Sequence, residues 1–201
     1  MATEDALDDE PAHGGLGRLL AFSDGVFAIA LTLLVLDLDV PPGLSPAELG
    51  VHLTQLAPHL LSAALSFAVI GRFWLAHHEI FRHVCRLNRT VLALGVVLLA
   101  PIVLLPFSTA LLAEYGDLEI SVIVYSMTVA AAALLEIAIL VQGTRPTAPG
   151  HRRTLTVRRI IVGTAVAAAG FAVAVPLAFV SPDWAKLCWL AALAPVDRLV
   201  R

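Results

Sequence analysis

Charged side chains are scarce in this 201-residue sequence: Asp, Glu, Lys and Arg make up 14% of it, while 59% of residues are hydrophobic. Soluble domains carry roughly 25% charged and 45 to 50% apolar residues, so a water-soluble fold is excluded. Cysteine is limited to Cys85 and Cys188, and no disulfide is expected. The first 17 residues hold five acidic side chains and no basic one, so the positive start of a signal peptide is missing. Residues 1–17 are expected to form a disordered cytoplasmic tail, and residues 18–201 a transmembrane domain. A net charge of -3 and the lack of a basic recognition patch give no case for a nucleic-acid partner. No phosphate-cradling glycine loop, nucleophile elbow or nucleotide fingerprint occurs, so no catalytic residues, no cofactor and no enzyme are expected. His77-His78-Glu79 with His83 and Cys85 lacks the four-residue histidine spacing of a zinc hydrolase. No metal site is expected there, only a loop with a structural His77 and a solvated remainder.

What is abundant is apolar helix. A bilayer core about 30 Å thick takes about 20 apolar residues per crossing. Apolar runs predict six spans, at about Leu19–Leu38, Ala57–Ala76, Arg89–Leu112, Leu118–Val141, Val157–Phe179 and Asp183–Leu199. Pro41-Pro42-Gly43 stops the first, and Pro58 fits the first turn of the second. Basic residues in short loops stay on the cytoplasmic side. All the arginines, from Arg18 through the 72–89 and 145–159 groups to Arg198 and Arg201, fall beside the termini, the second-to-third loop or the fourth-to-fifth loop. Lys186 alone falls on the other side. This pattern requires an even span count with both termini cytoplasmic. Asp39, Glu48, Glu114, Asp117, Glu119 and Asp183 make the outer ends acidic, which concentrates cations there. The predicted fold is an all-α polytopic membrane protein of six transmembrane helices in a single repeat unit.

The first span opens with Arg18-x-x-x-Phe22-Ser23-Asp24-Gly25, which places a carboxylate and a hydroxyl inside apolar helix. Ionisable groups within a span face a bundle interior or a water-filled path and read as functional by default. Asp24 can also be a first-turn acid near Arg18 at headgroup level. Arg18 with Phe22-Ser23-Asp24, Phe73-Trp74-x-x-His77-His78, Asn88 and Leu105-Pro106-Phe107-Ser108 together resemble the potassium channels of the transmembrane protein 175 type, found in endosomes, lysosomes and bacteria. The resemblance implies a homotetramer in the lipid bilayer, with the first helix of each subunit lining a central pore for permeant potassium ions. It makes Ile29, with Leu33 and Leu36, the pore constriction, and Thr32 the selectivity ring. For Arg18, Phe22, Ser23, Asp24, Gly25, Trp74, His77 and Asn88 it implies a structural network, in which Ser23 and Asp24 bond to Trp74, His77 or Asn88. Phe22, Gly25, Ile29, Thr32 or Leu33, and Leu36 recur at three- and four-residue intervals and therefore share a helix face.

Without that resemblance, Ile29, Leu33 and Leu36 read as packing residues. The carbonyl-lined Thr-Val-Gly-Tyr-Gly filter of ordinary potassium channels is absent, as is a voltage-sensor helix. A secondary transporter coupled to protons through Asp24 or Glu136 is the alternative function, with Glu136 otherwise paired to Arg72 or Arg145. A non-conducting assembly protein is a third. Helix 5, with Gly163, Gly170 and many alanines, reads as a close-packing surface. The arginine- and alanine-rich composition suggests a bacterial plasma membrane.

Overall fold

The computed structural model describes residues 10–36, 38–84, 88–144 and 151–193. Among them the chain forms α1 (Glu10–Leu33), α2 (Pro46–Gln55), α3 (Ala57–His83), α4 (Arg89–Tyr115), α5 (Glu119–Gly143), α6 (His151–Ala178) and α7 (Pro182–Leu193), with no strand. Segments 15–33, 57–83, 89–115, 119–143 and 157–178 are each long and apolar enough to cross a bilayer. The sixth expected span coincides with α7, whose 12 residues reach only about 18 Å at 1.5 Å per residue. Its expected continuation to Leu199 lies outside the described residues.

α1 starts earlier and stops sooner than its hydropathy suggests. It begins at Glu10, so the later part of the expected tail is helical, while residues 1–9 lie outside the described residues. Leu16, packed against the core, ties this early turn down despite the weak helix formers Gly14, Gly15 and Gly17. At the far end the α-helix gives way after Leu33 to a tighter turn, with Leu36 N–H donating to the Leu33 carbonyl at 3.1 Å and Leu38 N–H to that of Val35. Val40 precedes proline and is biased against helix, so the chain loosens before Pro41. Gly43 completes the turn at φ 85°, a conformation glycine adopts without penalty.

α2 was not legible from hydropathy. Ser45 and Glu48 cap it reciprocally: Ser45 N–H donates to Glu48 Oε2 at 2.8 Å, and Glu48 N–H to Ser45 Oγ at 3.4 Å. None of its residues is buried.

α3 runs seven residues past its expected end at Ala76, so the His77–His83 segment is helix and not loop. Nothing in Ala76–His83 breaks a helix, and Glu79 pairs with Arg82 at 3.1 Å and with His83 at 3.7 Å one turn on. Asn88 caps α4 by accepting from Val91 N–H at 2.8 Å. α4, α5 and α6 pack side by side in chain order, α3 lies against α4 and α5, and α7 covers α6. The core centres on Ile70, Leu98, Ile102, Tyr125, Ile139 and Phe171, each almost fully buried. Gly143 is a point of close approach, since an added Cβ would stand 2.7 Å from Val84 Cγ2.

Candidate functional site: the open face of the first helix

α1 packs against α3 and α4 and is the least buried of the five long apolar helices. Its inner stripe is Leu19, Ser23, Phe27, Ala30 and Leu34, at intervals of three and four. Leu19 reaches close against Gly95 of α4, and the Phe27 ring lies 5.6 Å from that of His77 on α3. The opposite stripe is open: Phe22, Gly25, Ile29, Thr32 and Leu33 are all exposed, Ile29 by 60%. A Cβ added at Gly25 meets nothing within 4 Å. Leu36 is also exposed, but it lies in the tight turn past the helix, so the shared-face spacing extends to Leu33 and not to Leu36.

Thr32 donates its hydroxyl hydrogen to the Ile29 carbonyl at 2.8 Å. A threonine hydroxyl has one donor and two acceptor lone pairs, so this bond leaves the oxygen as an acceptor at the exposed surface.

A polar brace holds α1 to α3. Trp74 Nε1 donates to Asp24 Oδ1 at 2.9 Å, and His78 Nε2 stands 3.6 Å from the same oxygen. The Trp74 and His78 rings lie 4.6 Å apart, as residues one turn apart on a helix can. His78 Nδ1 also lies 3.2 Å from the Trp74 carbonyl oxygen. The expected network is thus rearranged. His78, which sequence reasoning set aside, joins Asp24, and its signal was the four-residue step from Trp74. His77 points elsewhere because successive helix positions differ by about 100°; it is buried between Phe27 and Phe81. Asn88 caps α4 in place of bonding to Ser23 or Asp24. Ser23 Oγ and both His77 ring nitrogens are buried with no hydrogen-bond partner among the described residues. Such a group typically costs about 1 to 3 kcal/mol. Arg18 lies exposed on the first turns of the same helix.

Glu136 on α5 is 1% exposed, and its Oε1 has no partner among the described residues. It does not snorkel. Arg145, one expected partner, lies outside the described residues, and Arg72 donates instead to the Gly163 carbonyl at 3.1 Å.

Long apolar helices, a polar brace between α1 and α3 and an exposed stripe on α1 define a polytopic helical membrane protein with its first helix at the edge of the bundle. Residues 18–106 match the family described as the endosomal/lysosomal potassium channel TMEM175. A potassium channel of Streptomyces collinus is 37% identical over 177 residues, covering 82% of this chain and 83% of that protein. The crystal structure of a lysosomal potassium-selective channel TMEM175 homologue from Chamaesiphon minutus superposes with a TM-score of 0.76 at 32% identity, over 89% of this chain and 94% of that one. The endosomal/lysosomal proton channel TMEM175 of Gallus gallus is 35% identical over 50% of this chain, which spans 22% of that longer protein. This chain belongs to the TMEM175 family.

Proposed function

We propose that this protein is a potassium channel in which four copies assemble with α1 of each around a central axis, and potassium passes down its gradient between them. The observation that carries this reading is the open stripe of α1, where Phe22, Gly25, Ile29, Thr32 and Leu33 face away from their own bundle. The relatives described as potassium channels support the choice of ion. Ile29 forms the constriction: a ring of its side chains excludes bulk water and admits an ion only when part of its hydration is lost. The Thr32 oxygens compensate for that loss one turn away. Leu33 lines the wider path beyond, and Leu36 its outer mouth. Asp24, braced by Trp74 and His78, sets the angle of α1 and does not itself touch the ion. α7 with its continuation supplies the sixth span, and the arginine-rich end faces the cytoplasm of a cell bounded by its plasma membrane.

The test is recording from purified protein in planar bilayers with potassium on one side and sodium on the other. Ile29→Asn wets the constriction, so conductance rises and the reversal potential moves toward zero; lowering the barrier by about 1.4 kcal/mol corresponds to a tenfold rise in conductance. Unchanged currents overturn the constriction. Flux that saturates and follows a proton gradient, in place of ohmic single-channel steps, assigns a carrier.

A further inference from the structure

Away from α1, the three helices α3, α5 and α6 bound a cavity of about 370 Å³. Much of its wall is apolar, with Val69, Ile160 and Phe171 among the lining residues, and it carries four ionisable ones: Arg72, Glu79, Glu136 and Arg159. Glu79 is engaged by Arg82 and His83. The other three have unused capacity. Arg72 spends one of its five N–H donors on the Gly163 carbonyl. Arg159 is exposed at the rim and has no ion pair among the described residues. Glu136 is almost fully buried, with Oε1 unpartnered. A carboxylate oxygen without a donor inside a membrane-spanning bundle is unfavourable, and a donor reaching it from the cavity would relieve that cost.

The placement of these groups constrains the occupant. Arg72 lies 11 residues before the end of α3, Glu136 seven before the end of α5, and Arg159 eight after the start of α6. At 1.5 Å per residue they sit roughly 10 to 16 Å in from the arginine-rich end, where headgroups meet acyl chains. An anion alone would satisfy the two guanidinium groups and be repelled by Glu136. A simple cation would satisfy Glu136 and be repelled by the arginines. The remaining solution carries both signs a few ångströms apart, on a molecule with apolar chains for the wall.

We propose that this cavity seats the headgroup of a zwitterionic aminophospholipid, whose phosphate oxygens accept from Arg72 and Arg159 and whose ammonium donates to Glu136. The site shares no residue with the α1 stripe and stands or falls independently of the pore. Phosphatidylethanolamine has the donor that Glu136 lacks. Phosphatidylcholine has the charge but no ammonium N–H, and phosphatidylglycerol has the phosphate without the cation.

The test is native mass spectrometry of the purified full chain equilibrated with equimolar phosphatidylethanolamine, phosphatidylcholine and phosphatidylglycerol. Wild-type protein retains phosphatidylethanolamine over the other two by about tenfold, the scale of one charge-assisted hydrogen bond. Glu136→Gln removes that preference over phosphatidylglycerol, and Arg159→Gln, at an exposed position that folding tolerates, lowers retention of all three lipids. Equal retention of the three by wild type, or an undiminished preference in Glu136→Gln, overturns the proposal. Displacement of the lipid by millimolar phosphoethanolamine at equal occupancy overturns the lipid source and assigns the cavity to a soluble aminoalkyl phosphate.

Discussion

Two of the places where polar groups enter the apolar interior differ sharply. Near the acidic end, Thr109 donates to Ser66 Oγ at 2.7 Å, and Ser66 Oγ lies 3.0 Å from the Tyr125 hydroxyl, joining α4, α3 and α5. Beside them Trp189 Nε1 donates to Ser126 Oγ at 3.0 Å, and the Tyr125, Trp189 and Phe171 rings pack within 4.9 to 6.3 Å of one another. Every hydroxyl in that network has a partner. Where α1 meets α3 the balance is reversed: Asp24 is braced by Trp74, but Ser23 and His77 are buried with no hydrogen-bond partner among the described residues. The satisfied network ties α3, α4 and α5 together. The junction with α1 is held mainly by shape, one indole hydrogen bond and ring contacts, and the polar groups left over there mark it as the place where local rules yield to function.

The comparison is broken most severely by Tyr125→Ala, which removes both the hydroxyl and the ring from a fully buried position. It should lower the unfolding free energy in detergent by about 3 to 5 kcal/mol, read as a drop in melting temperature of the purified protein. A drop no larger than that of Tyr125→Phe would show that the ring contacts contribute little.

A matched pair of serines sharpens it. Ser66→Ala strands the buried Tyr125 hydroxyl, while Thr109 keeps the Leu105 carbonyl, and should cost about 1 to 2 kcal/mol by the same measurement. Ser23→Ala removes a hydroxyl with no partner among the described residues and should be neutral within about 0.5 kcal/mol. Equal losses would mean that Ser23 is satisfied in the assembled protein and that the asymmetry belongs to the single chain.

The smallest effect is at the water-exposed control, the α2 cap. The Ser45 hydroxyl and then its backbone N–H, both beside the Glu48 carboxyl, hold that carboxyl below its ordinary range. A depressed carboxylate pKa contributes stability above its unfolded value and loses it as pH falls through the lowered folded value. Protection of the α2 amides against hydrogen exchange should therefore weaken on acidification below about pH 4.5. Glu48→Gln should remove that dependence while the buried serine network stays unchanged.

The long spans were legible because length and hydropathy are properties of a segment taken alone. α3, α4, α5 and α6 fall where apolar runs place them, with ends displaced by up to seven residues, at the end of α3. The exposed stripe of α1 was legible too, through the three- and four-residue spacing from Phe22 to Leu33. α2 escaped because it is short and buries nothing; its signal was the Ser45-x-x-Glu48 cap. The end of α3 escaped because charged and histidine residues were taken for loop, although their spacing suits helix as well.

Sequence by itself determined that this chain is a bundle of membrane helices with its arginines gathered toward one end, because a bilayer reads each segment's apolar length and flanking charge independently of the rest. It also marked the Ser23-Asp24 pair as out of place in such a helix. Tertiary structure alone decided what those groups meet. Asp24 finds Trp74 across 50 positions, and Ser66 finds Tyr125 across 59. Those partnerships depend on the rotation of each helix about its axis, which is set by packing against its neighbours. One residue of rotation separates His77, buried among rings, from His78, beside the carboxylate.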